Sequence, residues 1–306
     1  MIRILKTVDT VPVGCRLEFV TFYMALGAEG RVHPNQTLEH REYLSAIDMM
    51  LRSARVFSPG MDATVLTDVH TDLAGMSFPV KHVASHMNPQ RLMLERAIAQ
   101  RNYILASNFS APIVLLDSDI LINGSLMPVF RQVFDVALTW RPDRRMPING
   151  GFLILNNQRP ERAKQFFSRF VSMYLERYAD KADWFGDQLA FRDCVGLSHE
   201  QMVDREIVDI DGCRVLLLPC STYNFSPKNQ YRSICAHLSG KVVLHFKGQR
   251  KRLMSPYWKA WVKPGHSSLP WVQFIGWRER RWIARQAEGE RAGSSVSVES
   301  QVKDAT

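Results

Sequence analysis

PIVLLDSDILING, residues 112–124, is the stretch on which the fold turns. Ile113 to Leu116 is apolar at every position, so a strand formed here buries both faces, as strands do in a parallel sheet covered by helices on both sides. The run then breaks into Asp117-Ser118-Asp119. The carboxyl ends of parallel strands are where open α/β sheets bind ligands. Two carboxylates one residue apart can serve one hard divalent ion, directly and through water. They can equally be a polar turn at a strand end.

Working outward, the preceding chain alternates strand and helix patterns. LEFVTFYMA (17–25) and ATVLTD (63–68) read as buried strands, and HREYLSAIDMMLRSARVF (40–57) carries apolar residues three and four apart. PQRLMLERAIAQRNYILAS (89–107) reads as a second helix with proline in its first turn. After the Asp pair the pattern is less regular. DVALTW (135–140) and GGFLILN (150–156) look like strands around the polar loop RPDRRMPING. RPERAKQFFSRFVSMYLERY (159–178) is the clearest helix, with a stripe of Ala163, Phe166, Phe167, Phe170, Val171, Tyr174 and Leu175. A short helix is expected near Asp187, and CRVLLLPC (213–220) and KVVLHF (241–246) are further strands. Strands alternating with helices predict an α/β fold with a mainly parallel sheet.

The composition allows a packed domain: 46% of the 306 residues are apolar and 23% charged. The expected organisation is one domain over residues 1–286, with residues 287–306, free of aromatics and of periodicity, as a disordered tail. No apolar run reaches the roughly 20 residues of a membrane span, and the first fifteen residues carry charges where a signal peptide needs an apolar block. Five cysteines without a CxxC motif argue against a disulfide or zinc framework. These features predict a cytoplasmic chain. Lys plus Arg exceed Asp plus Glu by nine, 39 against 30, which suits an anionic partner.

Three further segments carry chemistry. In INGGFLILN (148–156), Asn149-Gly150 can be a tight turn, or Gly150 and Gly151 can let a ligand approach the backbone. In WFGDQLAF (184–191), Asp187 can cap a helix or orient a hydroxyl, beside a hydrogen-bonding Gln188. In KVVLHFKGQRKR (241–252), His245 can complete a metal site begun by carboxylates, Lys247 adds a point charge for phosphate, and Gly248 permits close backbone approach.

Taken in order, these segments resemble the metal-dependent glycosyltransferases of the GT-A fold, most closely glycosyltransferase family 8. The family carries a DxD after a buried strand, an Asn-small-Gly segment opening an apolar strand, a DQ pair, and a late His followed by glycine and a basic residue. Asp117-Ser118-Asp119, INGGFLILN, Asp187-Gln188 and HFKGQRK match these over roughly residues 17–252. The resemblance implies a Rossmann-like, mixed but mainly parallel sheet, and transfer of a sugar from a nucleotide-diphosphate donor to a hydroxyl acceptor. It implies that Asp117, Asp119 and His245 hold Mn²⁺, with Mg²⁺ the alternative. Lys247 and Gly248 would sit on a loop that orders over the donor diphosphate. Asn149, Gly150 and Gly151 would line the donor sugar, with Asp187 and Gln188 on its far side as catalytic residues. Ser118 falls inside the DxD. Thr21 and Asp68 are placed near the nucleoside by position alone. Arg96 and Gln100, one turn apart, face the ribose or diphosphate, or else form a solvated helix face. UDP is the default donor base. The chain departs from family 8 in lacking a Lys-Pro-Trp after the His segment and an Asp or Asn in FVTFY.

Trp258, Trp261, Trp271, Trp277 and Trp282 fall among Lys and Arg within 258–285. They pack onto the domain, or they form a peripheral membrane contact that would suit a lipid-linked saccharide acceptor in surface polysaccharide or glycolipid synthesis. Nucleic acid is the less favoured partner. Two rivals remain: a haloacid-dehalogenase-like phosphatase, in which the first Asp would be a nucleophile, and a non-catalytic binding protein on a degenerate transferase fold.

Overall fold

The computed structural model describes residues 16–26, 38–181 and 185–265. Eight strands form the main sheet: β1 (Glu18–Phe22), β2 (Asp62–Asp68), β3 (Lys81–Ser85), β4 (Ile113–Leu116), β6 (Val136–Trp140), β7 (Ile148–Leu155), β8 (Ile207–Ile210) and β9 (Cys213–Pro219). Their order is β3-β2-β1-β4-β7-β6-β9-β8. The first four run parallel, and so do β6 and β9. β7 reverses direction between β4 and β6, and β8 reverses against β9. The sheet is therefore mixed, mainly parallel and flanked by helices. A second sheet pairs β5 (Ile120–Ile122) antiparallel with β10 (Val243–His245).

α1 (His40–Phe57) covers one face. It begins with a capping box in which the Glu39 backbone N–H donates to Glu42 at 2.9 Å, and it buries Leu44, Ile47, Met50, Leu51 and Ala54. α2 (Leu92–Ala106), α3 (Pro160–Tyr178) and α4 (Gly186–Val195) cover the other face. Phe170 of α3 stacks on Phe191 of α4 with ring centroids 3.6 Å apart. Leu175, expected in the buried stripe of α3, is instead 40% exposed at the stripe's C-terminal end.

Several boundaries differ from the pattern reading. β4 ends at Leu116, so Asp117–Asp119 turn out of the sheet before β5 begins. β7 starts two residues earlier than GGFLILN, which puts Asn149, Gly150 and Gly151 inside a fully buried strand. Gly248, expected on a loop with Lys247, instead begins a 3₁₀ helix over residues 248–253 that runs into the short α6 (Met254–Tyr257).

Trp258 is buried, and the Trp261 indole N–H donates to the Ile234 carbonyl at 2.9 Å. These two tryptophans pack onto the domain rather than presenting a membrane face. Trp271, Trp277, Trp282 and the expected tail at 287–306 lie outside the described residues. Among the described residues no helix is long and apolar enough to cross a membrane.

Candidate active site and metal centre

Strand register assembles the site. The antiparallel β4–β7 ladder sets Leu116 opposite Phe152, and one residue on, the Asp117 N–H donates to the Gly151 carbonyl at 2.9 Å. The β5–β10 ladder sets Ile120 opposite His245, and the Phe246 N–H donates to the Asp119 carbonyl at 2.8 Å. Two ladders therefore clamp the Asp-Ser-Asp turn from either side. His245 Nε2 lies 3.0 Å from Asp119 Oδ1 and 3.5 Å from Asp117 Oδ2. One donor atom from each of Asp117, Asp119 and His245 lies within 4.8 Å of the others.

Gly151 is what admits this cluster. A Cβ there would lie 2.5 Å from His245 Cε1 and 2.7 Å from Asp117 Oδ2, closer than carbon atoms pack. At Gly150 a Cβ would meet Asp187 Oδ2 at 2.9 Å. The space left by both glycines is thus filled by the chain's own polar side chains.

Arg96 on α2 is 12% exposed at its side chain and reaches across the site. It bonds Asp117 Oδ1 with one nitrogen, and Asp187 Oδ2 at 2.5 Å with the other. It is therefore no solvated helix face. Asp187 sits in the first turn of α4 at 2% exposure. Burial pushes its carboxyl above the usual range despite Arg96. Asp187 Oδ1 and Gln188 Oε1 are buried and accept no hydrogen bond of good geometry among the described residues, although the Gln188 backbone N–H approaches the Asp187 carboxylate. Buried acceptors without donors are costly, so this pair favours a ligand carrying hydroxyls.

Cations gather opposite. Lys251 Nζ lies 3.5 Å from Asp119 Oδ2. Burial pushes Asp119 upward, but His245 and the ammonium groups of Lys251 and Lys247 outweigh it and hold the carboxyl well below its usual range. Burial, with Arg141 nearby, lowers Lys247.

Arg96, Asp117, Ser118, Asp119, Asn149, Gly150, Gly151, Asp187, Gln188, His245, Lys247 and Gly248 all line one cavity of about 730 Å³. Thr21 and Asp68 do not. Thr21 is fully buried within β1, and its neighbours Phe22, Tyr23 and Met24 line the cavity instead. Asp68 accepts from the Thr71 hydroxyl, which in turn accepts from the Ala25 N–H at 2.8 Å, so it ties down the end of β1. Gln100 is buried in α2 and also stays out of the cavity.

The sequence reading missed Arg141, Tyr43 and Lys251, all of which line the cavity. The 3₁₀ helix returns Lys251 toward Asp119 one turn after Gly248, a signal present in the basic run 247–252. It also missed an aromatic end wall in which Tyr23 stacks between His40 and Tyr43, with centroids at 5.7 and 5.4 Å.

No family model matches the chain, and no curated protein matches it. Among solved structures, a galactosyltransferase LgtC, in complex with donor and acceptor sugar analogs, is 12% identical with TM-score 0.44, over 74% of this chain and 86% of that one. The glycosyltransferase GlyE of Streptococcus pneumoniae TIGR4 is 13% identical with TM-score 0.47, over 89% of this chain and 64% of that one. A glycosyltransferase involved in glycosylation of the major capsid of PBCV-1 is 14% identical with TM-score 0.43, over 79% of this chain and 98% of that one. At this degree of likeness, what the chain does has to be argued from its own cavity.

Proposed function

We propose that the chain is a metal-dependent glycosyltransferase that moves a sugar, most simply a hexose from a UDP-sugar, to a hydroxyl acceptor. The observation that carries this reading is the pairing, in one cavity, of a two-carboxylate, one-imidazole cluster with buried oxygens of Asp187 and Gln188 that keep accepting capacity unused.

The donor set fits a divalent ion such as Mn²⁺, for which carboxylate with imidazole is a suitable combination. Asp117, Asp119 and His245 would hold it. When bound, the metal supplies positive charge against the oxygens of a leaving diphosphate. The chain's own part is distinct. Lys247, Lys251 and Arg141 add cationic groups on the same wall. Asp187 Oδ1 and Gln188 Oε1 accept hydrogen bonds from sugar hydroxyls, while Arg96 fixes the Asp187 carboxylate. The Tyr23–His40–Tyr43 wall offers aromatic faces for a nucleobase. A phosphatase would need a carboxylate oxygen of Asp117 presented to phosphorus, but Arg96 holds one oxygen and the other faces His245.

The test is a thermal-shift panel of UDP, GDP, CMP and UDP-sugars with and without Mn²⁺, on the native chain and on Asp119→Ala. Ligand at about a hundred times Kd adds roughly 2.7 kcal/mol, a rise of several degrees. The expected result is a Mn²⁺-dependent rise with one nucleotide, lost in the variant. A flat panel across all nucleotides would overturn the reading.

A further inference from the structure

We infer that Asn224 is a positioning residue that holds a proton on His245 Nδ1 and so keeps Nε2, the nitrogen that faces Asp117 and Asp119, as the one offered to a metal; the role rests on the metal reading above. Thr139, Asn149, Asn224 and His245 are all buried, at 4% exposure or less. Their hydrogen bonds form a chain whose direction can be read from one end.

The Gly151 backbone N–H donates to the Asn149 side chain at 3.0 Å, so the atom it meets is the amide oxygen. The same oxygen lies 3.0 Å from the Asn224 side-chain amide. Two acceptors would repel there, so Asn224 presents its NH₂. The Thr139 hydroxyl is 2.9 Å from that NH₂ and gives its own hydrogen to the Asn149 carbonyl at 2.9 Å, so it too accepts from Asn224. Both hydrogens of the NH₂ are then placed. The Asn224 carbonyl oxygen is left to face His245 Nδ1, at 2.7 Å. An oxygen acceptor at that distance requires a proton on Nδ1. Nε2 is thereby the nitrogen left to a metal.

This orientation opposes the local field. Asp119 Oδ1, 3.0 Å from Nε2, would by itself draw the proton to Nε2 and block that nitrogen as a ligand. A hydrogen bond to the non-ligating nitrogen is the usual way in which proteins orient a metal-binding histidine. Here an amide does this work, and its own orientation is set by a backbone N–H of β7. Asn224 is also held from behind: it follows the short helix α5 (Cys220–Tyr223), and the next N–H, of Phe225, donates to the Val243 carbonyl at 2.9 Å.

The experiment has two arms. The first records imidazole ¹⁵N spectra of histidine-labelled, metal-free protein, with His245 assigned by its loss in His245→Gln. The native chain should show a proton on Nδ1. Asn224→Leu should remove the proton from Nδ1, whereas Thr139→Val should leave it there, because Asn149 still orients the amide. The second arm measures Mn²⁺ affinity by electron paramagnetic resonance, and expects a loss of about 10–100-fold in Asn224→Leu. A native His245 with no proton on Nδ1 would overturn the inference even if Asn224→Leu does not fold, as would an unchanged Nδ1 proton in a folded Asn224→Leu. A native chain that binds no Mn²⁺ yet carries the proton on Nδ1 would sink the metal reading and leave the Nδ1 assignment standing.

Discussion

β6 has a buried carboxylate cluster beyond each of its ends, and the two are built on opposite terms. At its start, Asp135 is fully buried and saturated. It accepts from Arg159 Nε at 2.8 Å, from the Arg214 N–H at 2.7 Å and from Arg214 Nη2 at 3.1 Å, with a second contact from Arg159. Two guanidinium groups serve one carboxylate. At the far end, beyond Thr139, the Arg96 guanidinium is divided between Asp117 and Asp187, with Asp119 alongside. The pKa directions follow. Burial raises Asp135, but Arg159 and Arg214 outweigh it and hold it low, whereas burial wins at Asp187. Buried charge alone therefore marks no site. The distinguishing sign is hydrogen-bonding capacity left unused on a cavity wall.

Substitutions can break this contrast. The largest effect is expected from Asp119→Ala: sugar transfer should fall on the order of 10³-fold, the scale of losing a dominant electrostatic stabiliser, with the fold intact by circular dichroism. Asp135→Ala should do the reverse. Removing one partner of a buried ion pair costs about 3 kcal/mol, so the melting temperature should drop by roughly 6–12 °C while activity per folded molecule is retained. If Asp135→Ala abolished transfer in folded protein and Asp119→Ala spared it, the contrast would be inverted. The pH dependence sharpens it. Because the folded state holds Asp135 below its unfolded value, its stabilisation is complete above about pH 4 and lost as pH falls through the depressed pKa. Asp135→Asn should remove that part of the acid-limb slope in urea melts.

Gly151→Ala should come next, weakening Mn²⁺ affinity by about tenfold or more through the displacement of His245 and Asp117. The smallest effect calibrates the rest. Glu161, 76% exposed and 3.6 Å from Lys164, should cost at most about 0.5 kcal/mol when changed to Ala.

Much of this contrast lies outside the reach of pattern. Helix α1 was legible to the residue because its apolar spacing of three and four coincides with what it buries. β4 and the Asp pair were legible because a strand apolar on both faces needs no partner to be recognised. β3, whose KHVAS is largely exposed at the sheet edge, and β8 carry no alternation to read. Asp117, Asp119 and His245 could be proposed from family spacing. The task of Arg96 could not, since it depends on where α2 crosses the end of β4. Asn224 left no mark at all, because an asparagine after a four-residue helix looks like any loop residue until its amide is seen between Thr139, Asn149 and His245. Thr21 and Asp68 failed for a related reason: β1 leads to the cavity but buries Thr21 inside the sheet, and Asp68 is held by Thr71.

The interleaving of the chain has one more consequence. Asp117, Asp119, Asn149 and Asp187 precede the exposed residues 203–205, while Asn224, His245 and Lys251 follow them. A cut there would yield two fragments, neither holding a complete donor set. They could meet again only by restoring the β6–β9 and β5–β10 pairings, which rejoin edges contributed by different fragments. The molecule is thus naturally suited to complementation: a chain split at this point would be silent in halves, and return of the metal binding proposed above would report reassembly.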